Sequence, residues 1–331
     1  MINLASIASA PKILSTQSQI TFADHWDHFL ARIGVKRGEH RVEPGLYVLG
    51  NPTPDSPVFV SANYTLSFDA LRSSLDGIDS YIMVLDTKGI NVWCAAGKGT
   101  FGTDEIVTRV FATQLKEVVK HRKLILPQLG APGVAAHEVK KRTGFWVEYG
   151  PARATDIPAY LRTHKATPQM RKVTFSLRDR LVLIPVDLIR LIPYMLAAAI
   201  LMYFVGGFIS SLAVITTVLA GTVLFPMLLP WIPTPNFSTK GFLLGALAAV
   251  PFALSPFIRH PDWTWYRRLG QGMEFFLAMP AVTAFIALNF TGSTTFTSRS
   301  GVKREMFAYI PGMAWTFGTG ILLAIVLIFV H

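Results

Sequence analysis

Asn91-Val92-Trp93-Cys94-Ala95-Ala96-Gly97-Lys98-Gly99-Thr100-Phe101-Gly102 admits two readings, and the choice between them decides what kind of domain surrounds it. In the first, Asn91 caps a short helix, and Cys94 lies in its first turn, where the positive end of the helix dipole favours a thiolate. Lys98 then adds a second positive charge one turn away. In the second, 92–96 is a strand and Gly97, Gly99 and Gly102 form G-x-G-x-x-G, opening a helix at Thr103 as in a dinucleotide site, with Glu117 twenty residues beyond the first glycine. Glu117 falls inside the predicted helix, not at the end of a second strand where a ribose ligand belongs. The fingerprint by itself is weak, and the capped helix is the preferred reading.

Outward from this segment, short apolar runs alternate with helical patterns. Strands are predicted over 45–50, 57–62, 81–86, 123–126 and 145–149, and helices over 22–33, 68–75, 103–120 and 133–142. Such alternation implies βα units on a mostly parallel sheet with ligands at the carboxyl ends of the strands, hence an α/β Rossmann-like or flavodoxin-like head. Residues 1–21 read as a loose polar lead-in without the apolar core of a signal peptide.

The second half faces a different solvent. Of 51 Lys, Arg, Asp and Glu residues, 39 fall in the first 180 positions. Beyond them lie apolar stretches over 188–204, 208–231, 241–257, 273–290 and 307–330, each near the roughly 20 residues that cross a bilayer. The reading is an all-α membrane domain of five transmembrane helices (188–331), joined by a basic linker (166–187) to a cytosolic head (1–165). Pro193, Pro226, Pro251, Pro280 and Pro311 are expected to kink or end the spans. No charge lies at mid-span, which argues against an ion pump or transporter. A net charge of +11 raises nucleic acid as a partner in a soluble protein. Here much of the excess flanks the bilayer, at Arg171, Lys172, Arg178, Arg180, Arg190, Lys240, Arg299, Lys303 and Arg304, so the partner is the lipid bilayer and not nucleic acid. These residues place the N-terminus inside by the positive-inside rule, while Arg259, Arg267 and Arg268 fall outside against it. The implied location is the inner (cytoplasmic) membrane.

One cysteine permits no internal disulfide and too few thiolates for an iron-sulfur cluster. A lone cysteine is ordinarily a small buried hydrophobe, but packing gives no reason for the small residues and lysine that follow this one. They leave a backbone that a broad flat ligand can approach closely. His25 and His28 stand at a spacing that allows a metal pair but read first as an exposed polar face beside Asp24 and Asp27. The basic run from Lys116 to Lys123 reads as a solvated helix end before a docking patch. Asn289, Thr291, Ser293, Thr294, Thr297 and Ser298 form a polar cluster at the end of the fourth span, read either as loop hydroxyls at the headgroup boundary or as a contact for the head.

At 91–98 the sequence matches Asn-(Val/Ile)-Trp-Cys-Ala-Ala-Gly-Lys without a departure, and thereby resembles the corrinoid membrane proteins of microbial mercury methylation, the HgcA-like family. The likeness extends to Val58-Phe59-Val60-Ser61-Ala62-Asn63-Tyr64, to Ser67-Phe68-Asp69, to the segment 101–105 and to the membrane half. It implies a head similar to the corrinoid-binding domain of corrinoid iron-sulfur proteins, with Cys94 as axial ligand to the cobalt of a base-off corrinoid (cobalamin). Asn91, Val92, Trp93, Cys94, Ala95, Ala96, Gly97 and Lys98 would form a cap helix against the ring, with Ser61, Asn63 and Ser67 lining the other side. Ser61 and Ser67 stand where the family is expected to carry threonine. The resemblance further implies a cobalamin-dependent methyltransferase that carries a methyl group from a methyl-folate-linked donor to Hg(II), giving methylmercury. A separate ferredoxin-like iron-sulfur protein would supply electrons and possible mercury delivery. Two other readings stay open: a membrane-tethered nicotinamide or flavin oxidoreductase using the glycine run, and a corrinoid methyl carrier for another acceptor.

Overall fold

In the computed structural model, which describes residues 12–36, 38–294 and 299–329, the first half is built on one sheet. Its strands are β1 (Ile13–Thr16), β2 (Gly45–Leu49), β3 (Val58–Ala62), β4 (Ser80–Leu85), β5 (Lys123–Leu126) and β6 (Trp146–Tyr149), in the order β1-β2-β4-β3-β5-β6. Every pair is parallel except β2 with β4. The helices of this half are α1 (Phe22–Ile33), α2 (Thr65–Ser74), α3 (Val92–Lys98), α4 (Thr103–Ala112), α5 (Leu115–Val118), α6 (Ala136–Thr143) and α7 (Ile157–Thr163).

The period of two along each strand sorts the apolar side chains into two cores. Val58, Val60, Tyr81, Met83, Leu85, Leu124 and Leu126 join Val92, Ala95 and Ala96 of α3, Ile106 and Val110 of α4 and Val139 of α6 on one face. Phe59, Ile82, Val84 and Ile125 join Phe68, Leu71 and Leu75 of the α2 region and Ile157 and Tyr160 of α7 on the other. The chain therefore leaves β3 on one face, through α2, and leaves the adjacent β4 on the opposite face, through α3 and α4. That divergence between neighbouring parallel strands is the switch point at which doubly wound sheets open a crevice at their carboxyl edge.

Three local departures from the sequence reading have identifiable causes. The helix expected over 103–120 is two, because Gln114 adopts a left-handed conformation (φ 47°) between α4 and α5. The helix expected over 133–142 starts three residues later at Ala136, after a tight 3-10 turn over Gln128–Gly133. The lead-in holds a strand, β1, whose four residues are too few to show a period but pair in parallel with β2.

The chain divides into two compact units, Met1–Ala31 with Val35–Thr174, and Arg32–Gly34 with Phe175–His331. In the second, α8 (Leu177–Leu181) and α9 (Ile184–Leu219) run through a π-helical turn (Ala220–Leu224) into α10 (Phe225–Leu228), followed by α11 (Phe237–Arg259), α12 (Trp265–Asn289) and α13 (Arg299–Phe329). Among the described residues, four helical segments are long and apolar enough to cross a membrane, the first of them Leu177–Leu228. The count differs from five because the first two apolar stretches run through that one 52-residue segment, interrupted at Gly207 by non-helical backbone (φ 76°, ψ −170°). Close glycine contacts pack the later helices: a Cβ at Gly241 or Gly245 would sit 2.6 Å from backbone of α12. Pro193, Pro251, Pro280 and Pro311 lie inside helices, and Pro226 follows directly on the π-helical turn within the helical run that leads into α10. Because α12 begins at Trp265, Glu274 is ten residues into a membrane-length helix; the sequence reading, starting that span at 273, had put it at the very start of the span and no charge at mid-span.

Candidate functional site

The loop from β4 to α3 is shaped by Lys88 and Gly89, both at positive φ (60° and 70°). Asn63, buried at the carboxyl end of β3, holds it: its side-chain oxygen accepts from the Thr87 amide (3.1 Å), the Thr87 hydroxyl (2.9 Å) and the Gly89 amide (3.0 Å). Its amide nitrogen donates to Asp86 Oδ1 at 3.4 Å. The Lys88 ammonium beside Asp86 holds that carboxyl below the usual carboxylate range. From the far side Glu105, in the first turn of α4, accepts the Asp86 amide at 2.9 Å and pairs with Arg109 at 2.7 Å. The chain thus enters α3 from a loop fixed at both walls.

Asn91 then caps α3, its Oδ1 accepting from the Cys94 amide at 2.9 Å. Gly99, left-handed at φ 85°, closes the other end. Within this helix Val92, Ala95 and Ala96 are buried, at the three-and-four spacing that anchors one face in the core. Cys94 and Trp93 are half-buried, and Asn91, Gly97 and Lys98 are exposed. Behind α3 stands the turn after β5, where a Cβ at Gly133 would lie 2.2 Å from the Phe101 carbonyl and 3.0 Å from Ala96 Cα. At Gly97 an added Cβ would meet nothing within 4 Å.

The capped helix is therefore the conformation adopted, and the dinucleotide fingerprint is overturned. That motif needs a strand running into its first glycine, whereas Gly97 is within a helix, Gly99 ends it and Gly102 precedes the next. Of the remaining predicted site residues, Ser61 is buried in β3 and Ser67 is half-buried in the first turn of α2. The sequence reading missed Thr87 and Glu105, although the turn-forming Asp-Thr-Lys-Gly after an apolar strand marked the loop that they secure.

Other candidates resolve into structural roles. His28 Nε2 lies 2.7 Å from Asp69 Oδ2, so it faces inward and is not part of an exposed polar face. Lys123 pairs with Glu148 at 2.7 Å, and Arg122 donates to the Val119 carbonyl at 2.6 Å. Asn289 and Thr291 bond back to Phe285 and Leu288 carbonyls, capping their own helix end; Thr297 and Ser298 lie outside the described residues.

No group of three His, Cys, Asp or Glu side chains able to hold a bare metal ion gathers among the described residues. A metal that arrives in a planar macrocycle brings its own equatorial nitrogens and needs one axial donor and an unobstructed face. Cys94 on its exposed helix face and the clear backbone at Gly97 fit that requirement.

Fold and site together define a doubly wound α/β head with a cysteine-bearing helix at its carboxyl edge. Residues 36–161 match the family model of the CO dehydrogenase/acetyl-CoA synthase delta subunit. The chain is 32% identical over 127 residues to the acetyl-CoA decarbonylase/synthase complex subunit gamma of Methanopyrus kandleri (38% of this chain, 27% of that protein). It is 33% identical over 123 residues to the same subunit of Archaeoglobus fulgidus (37% and 26%). To the corrinoid/iron-sulfur protein large subunit of Moorella thermoacetica it is 31% identical over 129 residues (38% and 28%). The head is thus related to corrinoid/iron-sulfur proteins, and the chain spans about a quarter of the length of these relatives.

Proposed function

We propose that the head binds a base-off corrinoid against α3, with the Cys94 sulfur as axial donor to cobalt, and that the protein is a cobalamin-dependent methyltransferase acting on Hg(II) to form methylmercury. The observation that carries this reading is the unbroken 91–98 signature on a capped helix, in a region related to corrinoid/iron-sulfur proteins. When bound, a corrinoid would supply a cobalt centre able to carry a methyl group, and a soft thiolate donor such as Cys94 would suit that centre to an electron-poor acceptor.

The chain's own residues prepare for this. Asn91 fixes the first turn so that Cys94 is presented on the exposed face. Val92, Ala95 and Ala96 seat the helix, Gly97 leaves its surface clear, and Lys98 keeps a cation one turn from the sulfur. Asn63 holds the loop that aims α3, while Ser61 is buried in β3 and Ser67 lies in the first turn of α2. Electrons come from a separate ferredoxin-like protein, because one cysteine cannot hold a cluster. The same partner is suited to delivering Hg(II), and a methyl-folate-linked donor supplies the methyl group.

The helical unit sits in the inner membrane with the head cytoplasmic. As one unbroken helix the 52 residues of Leu177–Leu228 would measure about 78 Å at 1.5 Å per residue, more than twice a bilayer's hydrocarbon thickness. The break at Gly207 supports reading it as two crossings, and the whole as five.

Anaerobic full-length protein is expected to show corrinoid absorption and to form methylmercury from Hg(II) when given a methyl donor and a low-potential reductant. Cys94→Ala should lose the activity and shift the visible bands; undiminished methylmercury formation by that variant would refute the assignment. A second reading, a methyl carrier for another acceptor, is favoured by relatives that are subunits of acetyl-CoA complexes. Corrinoid retained without any methylmercury would support it.

A further inference from the structure

Helix α1 is mounted the wrong way round for a helix on a soluble domain. Such a helix normally turns its apolar stripe to the core and its charges to water. Here both acids and one histidine face the head: Asp24 pairs with Arg72 at 2.8 Å, Asp27 with His40 at 2.7 Å, and His28 with Asp69 at 2.7 Å. On the opposite side Phe22, Trp26 and Phe29, spaced i, i+4 and i+7, are 85%, 54% and 51% exposed. Trp26 and Phe29 stack at 5.4 Å, so the arc is one continuous aromatic surface. Both acids of the helix are committed inward, which leaves that arc without a carboxylate.

We infer that this aromatic face of α1 lies in the headgroup region of the bilayer, making α1 an in-plane membrane contact of the head. Tryptophan and phenylalanine exposed together on one side of a helix, with no carboxylate among them, make the kind of apolar face that interfacial helices bury at the lipid boundary. The chain also supplies the proximity. Between Thr163, which ends α7, and Leu177, which opens the first membrane-length segment, an extended chain reaches about 50 Å at most. A tether of that length holds the head at a high effective concentration beside the lipid surface. Lipid then covers apolar area that no segment of the described chain covers.

The test uses the full chain in nanodiscs of phosphatidylcholine and phosphatidylglycerol containing a diazirine-bearing phospholipid, with adducts mapped by mass spectrometry. Adducts on the Phe22–Ile33 peptide are expected on the order of tenfold above those on β3, which is buried in the sheet. They should be lost in F22S/W26S/F29S, while amide-exchange protection of β3 and β4 stays unchanged. A native protein whose membrane helices label and whose α1 does not overturns the inference. That holds whether aqueous hydroxyl-radical footprinting finds α1 open to water or shielded by a second copy or another protein.

Discussion

At the scale of the residue, Gly97 separates what stabilises this fold from what the proposed ligand requires. Its backbone is helical and its missing Cβ has open space around it, so alanine there meets no steric penalty. Alanine should stabilise the head by up to about 1 kcal/mol through helix propensity. The same methyl group stands on the face offered to the macrocycle, so Gly97→Ala is expected to melt higher without cofactor and to retain less corrinoid. An unchanged cobalt content would remove Gly97 from the binding face. Asn63 gives the opposite case. Read from the sequence as lining a cofactor, it has its side-chain oxygen occupied by three donors from the following loop. Asn63→Ala would strand buried donors at about 1–3 kcal/mol each, so a loss of about 2–4 kcal/mol should appear in denaturant unfolding of the protein even without ligand. A residue that only touched the corrinoid would leave that unfolding curve in place.

At the scale of the element, the central strands and the capped helix were legible because their signals are local. Alternating apolar runs bounded by Gly, Pro and Asn defined β2 to β6, and Asn91 three residues before Cys94 defined the cap. What was not legible depends on partners distant in sequence. The 12-residue amphipathic pattern of α1 was plain, but which side it buries was settled by Arg72, Asp69 and His40, contributed from other segments. This attachment titrates. Burial opposes a charge on His40, but the Val35 carbonyl at 2.6 Å and the Asp27 carboxylate outweigh it and raise its pKa above 6.5. A raised folded value means that the contribution is complete below about pH 6.5 and is lost as pH rises through the folded pKa. Asp24 runs the other way: burial is outweighed by the Thr21 amide and Arg72, its pKa lies below 3.8, and its contribution fades only as pH falls through that value. Exchange protection of α1, corrected for the intrinsic pH dependence of amide exchange, should therefore decline on the alkaline side, and His40→Gln should flatten that decline. A decline of equal size in the variant would place the titrating group elsewhere.

At the scale of the whole molecule, the direction in which the helical unit threads the bilayer turns on one glycine. The conformation of Gly207 (φ 76°, ψ −170°) is closed to residues carrying a Cβ, so the helix is interrupted there and nowhere else along Ile184–Leu219. With reversal at Gly207 and the head inside, the loop before α11 returns to the cytoplasm with Lys240 beside it, the α11–α12 loop is outside, and Lys303 and Arg304 at the start of α13 are inside. Without reversal each of these sides is exchanged, and Lys240, Lys303 and Arg304 all fall outside against the positive-inside preference. The cost of the first arrangement is Arg259, Arg267 and Arg268 on the outer side. There Arg267 lies over the Trp263 ring at 4.1 Å and Arg268 over Phe257 at 5.6 Å, contacts suited to cations held at an aromatic interface. Alkaline phosphatase inserted between His260 and Thr264 is accordingly expected to be active, and a fluorescent protein that matures only in the cytoplasm to be dark at the same site. The reverse pair of results would show that Leu177–Leu228 crosses once, and would put α12, with Glu274, into the membrane in the opposite sense.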